Sequence, residues 1–111
     1  VGEQVEELVY DMVEVMPEFP GGVRAMLDFI KKNIQYPEIA RKNGIQGRGI
    51  VGVVVDKNGS VTNLTILKSI DPYLDKEAIR VISSMPKWTP GVQNGKKVRV
   101  KFTVPVSFRL Q

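Results

Sequence analysis

The chain has 111 residues, which is the size of one domain, and its 16 basic and 12 acidic side chains give a net charge of +4. It contains no cysteine and no histidine. This composition excludes a disulfide framework, a thiolate metal site and the side chain that most often serves as a general base near neutral pH. No apolar run approaches the roughly 20 residues that span a bilayer, and the first residues do not form a signal peptide.

The beginning of the chain shows weak periodicity. Residues 1–7 are polar and acidic, and we expect them to fray. Residues 8–15 carry apolar side chains at both parities, so they predict at most a short strand. Two prolines and two glycines within residues 16–22 indicate a loop. Because the chain starts without a methionine, we interpret it as a fragment or a processed chain whose anchor is missing.

Apolar residues recur at helical spacing after this loop. Positions 23, 26, 27, 30 and 34 are apolar, which predicts an amphipathic helix. We expect Tyr36-Pro37 to end it, because the residue before a proline disfavours helical angles. Residues 38–42 predict one further helical turn, closed by Asn43-Gly44.

A hairpin is predicted next. Two runs rich in β-branched residues, 45–56 and 60–68, flank Lys57-Asn58-Gly59. An Asn-Gly pair between such runs is the strongest short-range hairpin signal. Three glycines inside the first run indicate a bulge or a close backbone approach.

The second helix and the last strand are marked more clearly. Asp71-Pro72 predicts a helix start with Asp71 as the N-cap, and Pro86 predicts its end. From 98 to 110 every even position is apolar, while the odd positions are basic, hydroxyl-bearing or proline. This alternation predicts a strand with one face on the core and one in water. Pro105 cannot donate to a ladder, so it places this strand at a sheet edge or near a bulge.

These elements predict an α+β fold in the order (β)αββαβ. We expect a mainly antiparallel three-stranded sheet, with a short N-terminal strand as an optional fourth, and two helices packed on one face. Truncating Phe102 to alanine should cost about 3–5 kcal/mol. The expected core consists of Val23, Leu27, Ile30, Val53, Val55, Leu64, Ile66, Ile79, Ile82, Val100, Phe102 and Val104.

The sequence contains no assembled catalytic group. Asp71, Asp75 and Glu77 lie near a helix start, where capping and a solvated face account for carboxylates. The serines have no histidine to activate them, which excludes a Ser-His-Asp triad. We therefore predict that the chain is not an enzyme and holds neither a metal nor a cofactor.

Nucleic-acid binding is an alternative that the positive charge raises. Small RNA-binding sheets stack bases on exposed aromatic side chains. Here Phe102 and Phe108 share the parity of the buried valines, and charge alone supplies only sequence-independent binding. We therefore expect no nucleic-acid partner. The basic face of the last strand is typical either of a solvated surface that resists aggregation or of an edge where a guest peptide adds a strand.

An ordered set of motifs resembles the TonB C-terminal domain family. The likeness covers residues 19–111, which we take as the domain, with residues 1–18 as an N-terminal extension or linker. The motifs are Tyr36-Pro37, Ala40, Gly44-Ile45-Gln46-Gly47, Val53-Val54-Val55-Asp56-Lys57-Asn58-Gly59-Ser60-Val61, Asp71-Pro72-Tyr73-Leu74-Asp75-Lys76-Glu77-Ala78, Met85-Pro86-Lys87-Trp88-Thr89-Pro90-Gly91, Asn94-Gly95-Lys96 and Val104-Pro105-Val106.

This resemblance implies the periplasmic module of an energy transducer that is anchored in the inner membrane. Its partners would be the TonB-box peptide of an outer-membrane transporter, captured by strand addition, and the inner-membrane proton-motive-force complex, reached through the missing anchor. A homodimer is left open. The implied binding residues lie in the last strand, within 98–108, and at the Tyr-Pro segment. They are Gln35, Tyr36, Pro37, Val98, Arg99, Val100, Lys101, Phe102, Thr103 and Val104. We expect Arg99 and Lys101 to favour guests with acidic residues.

The match has departures. Before Tyr-Pro the family pattern reads Gln-Pro-Gln, whereas this chain has Asn33-Ile34-Gln35, and Ile39 replaces a residue that is often basic. Similar domains also end zinc-peptidase signal transducers of the inner membrane, which is the alternative parent. A strand formed by residues 1–18 would cover the edge that the guest needs.

Overall fold

The computed structural model describes residues 8–110, so the fraying predicted for residues 1–7 lies outside the described part of the chain. None of the helices within this range is long and apolar enough to cross a membrane. In chain order the elements are strand β1 (Val9–Tyr10), helix α1 (Gly22–Asn33), helix α2 (Glu38–Lys42), strand β2 (Gly47–Val55), strand β3 (Val61–Lys68), helix α3 (Pro72–Ser83), strand β4 (Gly91–Gln93) and strand β5 (Lys96–Phe108).

The strands form one sheet in the order β1-β5-β2-β3, and the short strand β4 also pairs with β5. The pairing of β2 with β5 is antiparallel and runs without interruption from Gly47 opposite Phe108 to Val55 opposite Val100. β1 runs parallel to β5. The predicted α+β fold is confirmed, but the sheet is mixed rather than purely antiparallel, and β4 is a strand that the sequence analysis did not predict.

The alternation along β5 sets which face of the sheet is buried. Val100, Val104, Val106 and Phe108 are buried, while Lys101 and the other odd residues lie outside the core. Ile30, Val53, Val55 and Ile82 of the expected core are buried too, and Leu64, Ile66, Ile79 and Phe102 pack against it while half-buried. The helices therefore cover the apolar face, as predicted.

Two residues of the expected core are wrong. Val23 and Leu27 of α1 are 60% and 44% exposed. The buried stripe of α1 is centred on Met26 and Ile30 instead, flanked by the half-buried Phe29. Helical periodicity identifies the apolar face of a helix. Which residues of that face are buried depends on the elements that pack against it.

Asn-Gly pairs close both hairpins. Gly59, between β2 and β3, has φ +88°, and a Cβ there would lie 2.0 Å from the carbonyl oxygen of Trp88, so no other residue fits. Asn94 and Gly95, between β4 and β5, both have positive φ. Two consecutive positive φ values are the signature of a type I′ turn, whose twist matches that of the strands it joins.

The N-terminal segment is hydrogen-bonded to the rest of the domain. Val15 and Val92 exchange two backbone hydrogen bonds of 3.1 and 2.8 Å, and Glu18 and Thr89 exchange two of 3.0 and 2.8 Å. The domain boundary between residues 18 and 19 stays a prediction, and these bonds cross it.

Candidate functional site

One edge of β5 is only partly covered. β2 lies along one side of the strand, and on the other side β1 pairs with Arg99 and Val100. Within residues 8–110, no strand pairs with that second side between 101 and 108. We call residues 101–108 the open edge. Backbone N–H and C=O groups along such an edge have only water as a partner, which makes the edge a template for another strand.

An apolar groove runs between α1 and the last part of the open edge. We call it the α1–β5 groove, and its volume is about 650 Å³. Leu27, Ile30 and Ile34 line it from α1, and Pro105 and Phe108 line it from β5. The exposure of Leu27 therefore has a structural reason, since this side chain faces the groove rather than the sheet.

The Tyr-Pro segment closes one end of this groove. The hydroxyl of Tyr36 donates to the carbonyl oxygen of Ile45, and its ring packs edge-to-face on Phe108 with centroids 5.6 Å apart. Partial burial raises the pKa of Tyr36, because the charged phenolate would lose hydration. Pro37 directly precedes α2 as its N-cap, and the side chain of Gln35 is exposed. Tyr36 is thus a fixed wall of the groove.

A buried carboxylate holds the Tyr-Pro segment in place. Glu77 of α3 is 8% exposed. It accepts the Gln35 backbone N–H at 2.6 Å and two hydrogen bonds from Arg80 at 2.7 Å each. Arg80 also donates to the carbonyl oxygen of Asn33, the last residue of α1. The prediction of a solvated face for Glu77 is wrong, because its partner is a backbone amide distant in sequence. Asp71, by contrast, caps α3 as predicted.

The ionised carboxylate of Glu77 should make the stability of the domain sensitive to acid. Burial alone would raise the pKa of Glu77, but the hydrogen bonds from Arg80 and Gln35 and the charge of Arg80 together lower it. A lowered folded-state pKa stabilises the domain above the unfolded-state value, and this contribution is lost as pH falls through the folded-state value. We expect Glu77→Gln to lower the urea midpoint at pH 7, and we expect a smaller gap at an acidic pH, because the contribution of Glu77 is lost as its carboxylate becomes protonated. Glu38→Gln, which removes an exposed pair with Lys42, is the control and should change little at either pH. A difference in urea midpoint between wild type and Glu77→Gln that grows as pH falls would contradict this account.

The predicted strand residues fall into two groups. Val98 pairs with Gly91 of β4, and Arg99 and Val100 pair with β1. Lys101, Phe102, Thr103 and Val104 belong to the open edge and pair only with β2. Tyr36 meets the strand at Phe108, four residues beyond the last strand residue predicted for the site.

Sequence reasoning missed the residues that shape the groove from the other side. Leu27 was assigned to the core, although it lines the groove together with Lys31. Arg48 and Arg109 line it from β2 and from the residue after β5. The alternation over residues 98–110 predicted that Arg109 points away from the core, but no sequence signal places Arg109 or Arg48 beside α1.

No group of three or more metal-ligating side chains is present within residues 8–110. The sequence profile described as the Gram-negative bacterial TonB protein C-terminal family matches residues 32–110. The chain belongs to this family. It is a periplasmic domain, and the family is one of energy transducers rather than enzymes, which confirms the predicted family, location and lack of enzymatic activity.

Curated relatives of the TonB family are similar to most of this chain. Protein TonB of Xanthomonas campestris pv. campestris is 36% identical over 92 residues, which are 79% of this chain and 41% of that protein. Protein TonB of Vibrio cholerae is 31% identical over 78 residues, 69% of this chain and 32% of that protein. The chain therefore spans less than half the length of these relatives.

Solved TonB domains share the fold. A solution structure of the Helicobacter pylori TonB C-terminal domain covers 83% of this chain and 87% of its own, with a TM-score of 0.60 at 23% identity. The Pseudomonas aeruginosa TonB C-terminal domain covers 69% of this chain and 78% of its own, with a TM-score of 0.57 at 26% identity.

Proposed function

We propose that this TonB C-terminal domain captures an extended guest peptide as an added strand on the open edge. The observation that carries the proposal is the unpaired stretch 101–108 of β5 beside an apolar groove that Tyr36 closes. An added strand would satisfy the free backbone groups, and its side chains that point toward α1 would cover Leu27 and Ile30. The groove supplies apolar burial, which main-chain hydrogen bonds alone do not.

The open edge carries residues that discourage unwanted strand pairing when no guest is bound. Lys101 and Pro105 lie within it, and lysine and proline are the residues that natural proteins use to keep exposed edges from pairing with one another. β1 covers the edge at Arg99 and Val100. The proposed footprint of the guest is therefore residues 101–108 together with Gln35, Tyr36 and Pro37. It leaves out residues 98–100, which the sequence analysis included.

The proposed parent is a TonB-type energy transducer. The three curated relatives are all named Protein TonB and are longer than this chain, which favours this parent over a zinc-peptidase signal transducer. In this proposal the guest is the TonB-box peptide of an outer-membrane transporter. An N-terminal anchor links the domain to the inner-membrane complex that converts proton-motive force into movement. Homodimer formation stays a prediction.

Titration of the isotope-labelled protein with synthetic TonB-box peptides tests this function. We expect saturable binding and backbone amide shifts concentrated in residues 101–108 and 35–37, because those groups change their hydrogen-bond partners or neighbours. A scrambled charged peptide without β-branched residues is the control. Saturable binding that leaves these amides unmoved, or shifts confined to β3, would sink the proposal.

A further inference from the structure

The charged residues that line the α1–β5 groove are all cations. Lys31 comes from α1, Arg48 from β2 and Arg109 from the residue after β5, and no aspartate or glutamate lines the groove with them. All three side chains are exposed. Within residues 8–110 none of the three forms an ion pair. Three uncompensated positive charges therefore surround an apolar floor.

The first part of β5 differs in this respect. Arg99 lies 3.8 Å from a carboxylate oxygen of Asp56, and Lys101 lies 3.8 Å from one of Asp11. The two cations to which sequence reasoning gave a preference for acids thus have acidic neighbours within the domain. The free positive charge lies at the opposite end of the open edge, around Ser107 and Arg109.

We infer that the α1–β5 groove selects a guest peptide that carries carboxylates on the residues lying beside Ser107 and Arg109. This inference rests on the proposed strand addition and adds the chemistry of the guest. Strand addition alone is nearly indifferent to sequence and allows register slips, because main-chain bonds repeat along the strand. A carboxylate held by Arg48, Arg109 or Lys31 fixes the register, since only one alignment brings it to these cations.

A nucleic acid does not fit the groove as well as an acidic peptide. Bases bind single-strand sites by stacking on open aromatic faces. Phe108 is 1% exposed, and Tyr36 packs its ring against Phe108 and donates its hydroxyl to Ile45. The groove offers charge and apolar aliphatic surface without a stacking platform, which matches a strand with apolar and acidic side chains.

Paired peptides and charge variants test the inference. The probes are two blocked peptides of about six residues, the usual strand length, each alternating valine with threonine. One ends in two aspartates and the other in two asparagines. The groove variant combines Lys31→Gln, Arg48→Gln and Arg109→Gln. The matched control combines Lys57→Gln, Lys76→Gln and Lys87→Gln, which are exposed and do not line the groove. Each triple variant lowers the net charge from +4 by three, to +1.

The wild-type domain should bind the aspartate peptide about tenfold more tightly than the asparagine peptide in low salt, and the advantage should shrink as salt is added. The groove variant should lose this advantage, whereas the control variant should keep most of it. Backbone shifts that distinguish the two peptides should centre on Arg48, Ser107 and Arg109.

Each of the other outcomes overturns either the charge selection, the proposed function or the choice of a peptide as the guest. Equal binding of the two peptides, with shifts along the open edge, overturns the charge selection and leaves strand addition standing. If the groove variant and the control variant lose the preference for the aspartate peptide equally, the charge selection is also overturned, because the effect would then come from net charge. Binding of neither peptide counts against the proposed function itself. Tighter binding of a single-stranded oligothymidylate than of the aspartate peptide overturns the choice of a peptide guest.

Discussion

Replacing Phe108 by alanine should lower the free energy of unfolding by about 3–5 kcal/mol. Phe108 is 1% exposed, belongs to the core and supports the ring of Tyr36. Removing it leaves a cavity beneath the groove that the flanking strand β2 cannot fill without breaking its ladder. The urea midpoint, at an unchanged slope, measures the loss.

Two comparison variants sharpen this prediction. Phe102 points to the same face and packs edge-to-face on Trp88 at 5.1 Å, but it is only half-buried. Phe102→Ala should therefore cost less than Phe108→Ala, near the lower end of the same range, about 3 kcal/mol. Tyr73→Ala, at a 50% exposed position of α3, should change stability by no more than about 0.5 kcal/mol. A loss below about 1 kcal/mol for Phe108→Ala would show that the faces of β5 are assigned backwards.

Proline substitution at Thr103 should abolish guest binding without unfolding the domain. Pro105 stands opposite Ile50 in an unbroken antiparallel ladder. Residues of such a ladder alternately direct their backbone groups toward the partner and away from it. Because Pro105 has no N–H, it fits without loss only where those groups point away from β2. We infer that Lys101, Thr103 and Ser107 direct theirs to the open edge, and that Val104 directs its own to β2.

Thr103→Pro removes one N–H from the open edge and adds a ring where the guest strand would lie. We expect stability within about 1–2 kcal/mol of the wild type and guest affinity weaker by about tenfold or more. Thr103→Val keeps the N–H and should bind normally. Val104→Pro breaks the ladder with β2 and should prevent cooperative folding. Wild-type affinity in a folded Thr103→Pro variant would show that the guest binds elsewhere.

The features that could be predicted from sequence are those set by neighbouring residues. The alternation of β5 depends on the two-residue period of a strand, the first hairpin depends on Asn58-Gly59, and the start of α3 depends on Asp71, whose side chain accepts from Tyr73 and Leu74. Each of these signals acts within a few residues of its effect. For that reason they survive unchanged in the folded chain.

The features that could not be predicted depend on distant partners. β4 is three residues long, too short for any period, and it exists because β5 and Val15 pair with it. The sequence predicted a short strand within residues 8–15, but its two residues, Val9 and Tyr10, are set by their pairing with β5. The burial of Glu77 depends on the amide of Gln35, 42 residues away. In the candidate site, the resemblance pointed to Tyr36 and the last strand. The cations of the groove come from three separate segments that only the fold brings together.

The central claim is that a guest adds a strand to the open edge, and amide hydrogen exchange with and without a bound TonB-box peptide tests it most directly. We expect the amides of Thr103 and Ser107 to exchange much more slowly when the guest is bound, because they become ladder donors. The amides of Phe102, Val104 and Val106 should change little, since β2 already protects them. Unchanged exchange at Thr103 and Ser107 under saturating guest would contradict the claim.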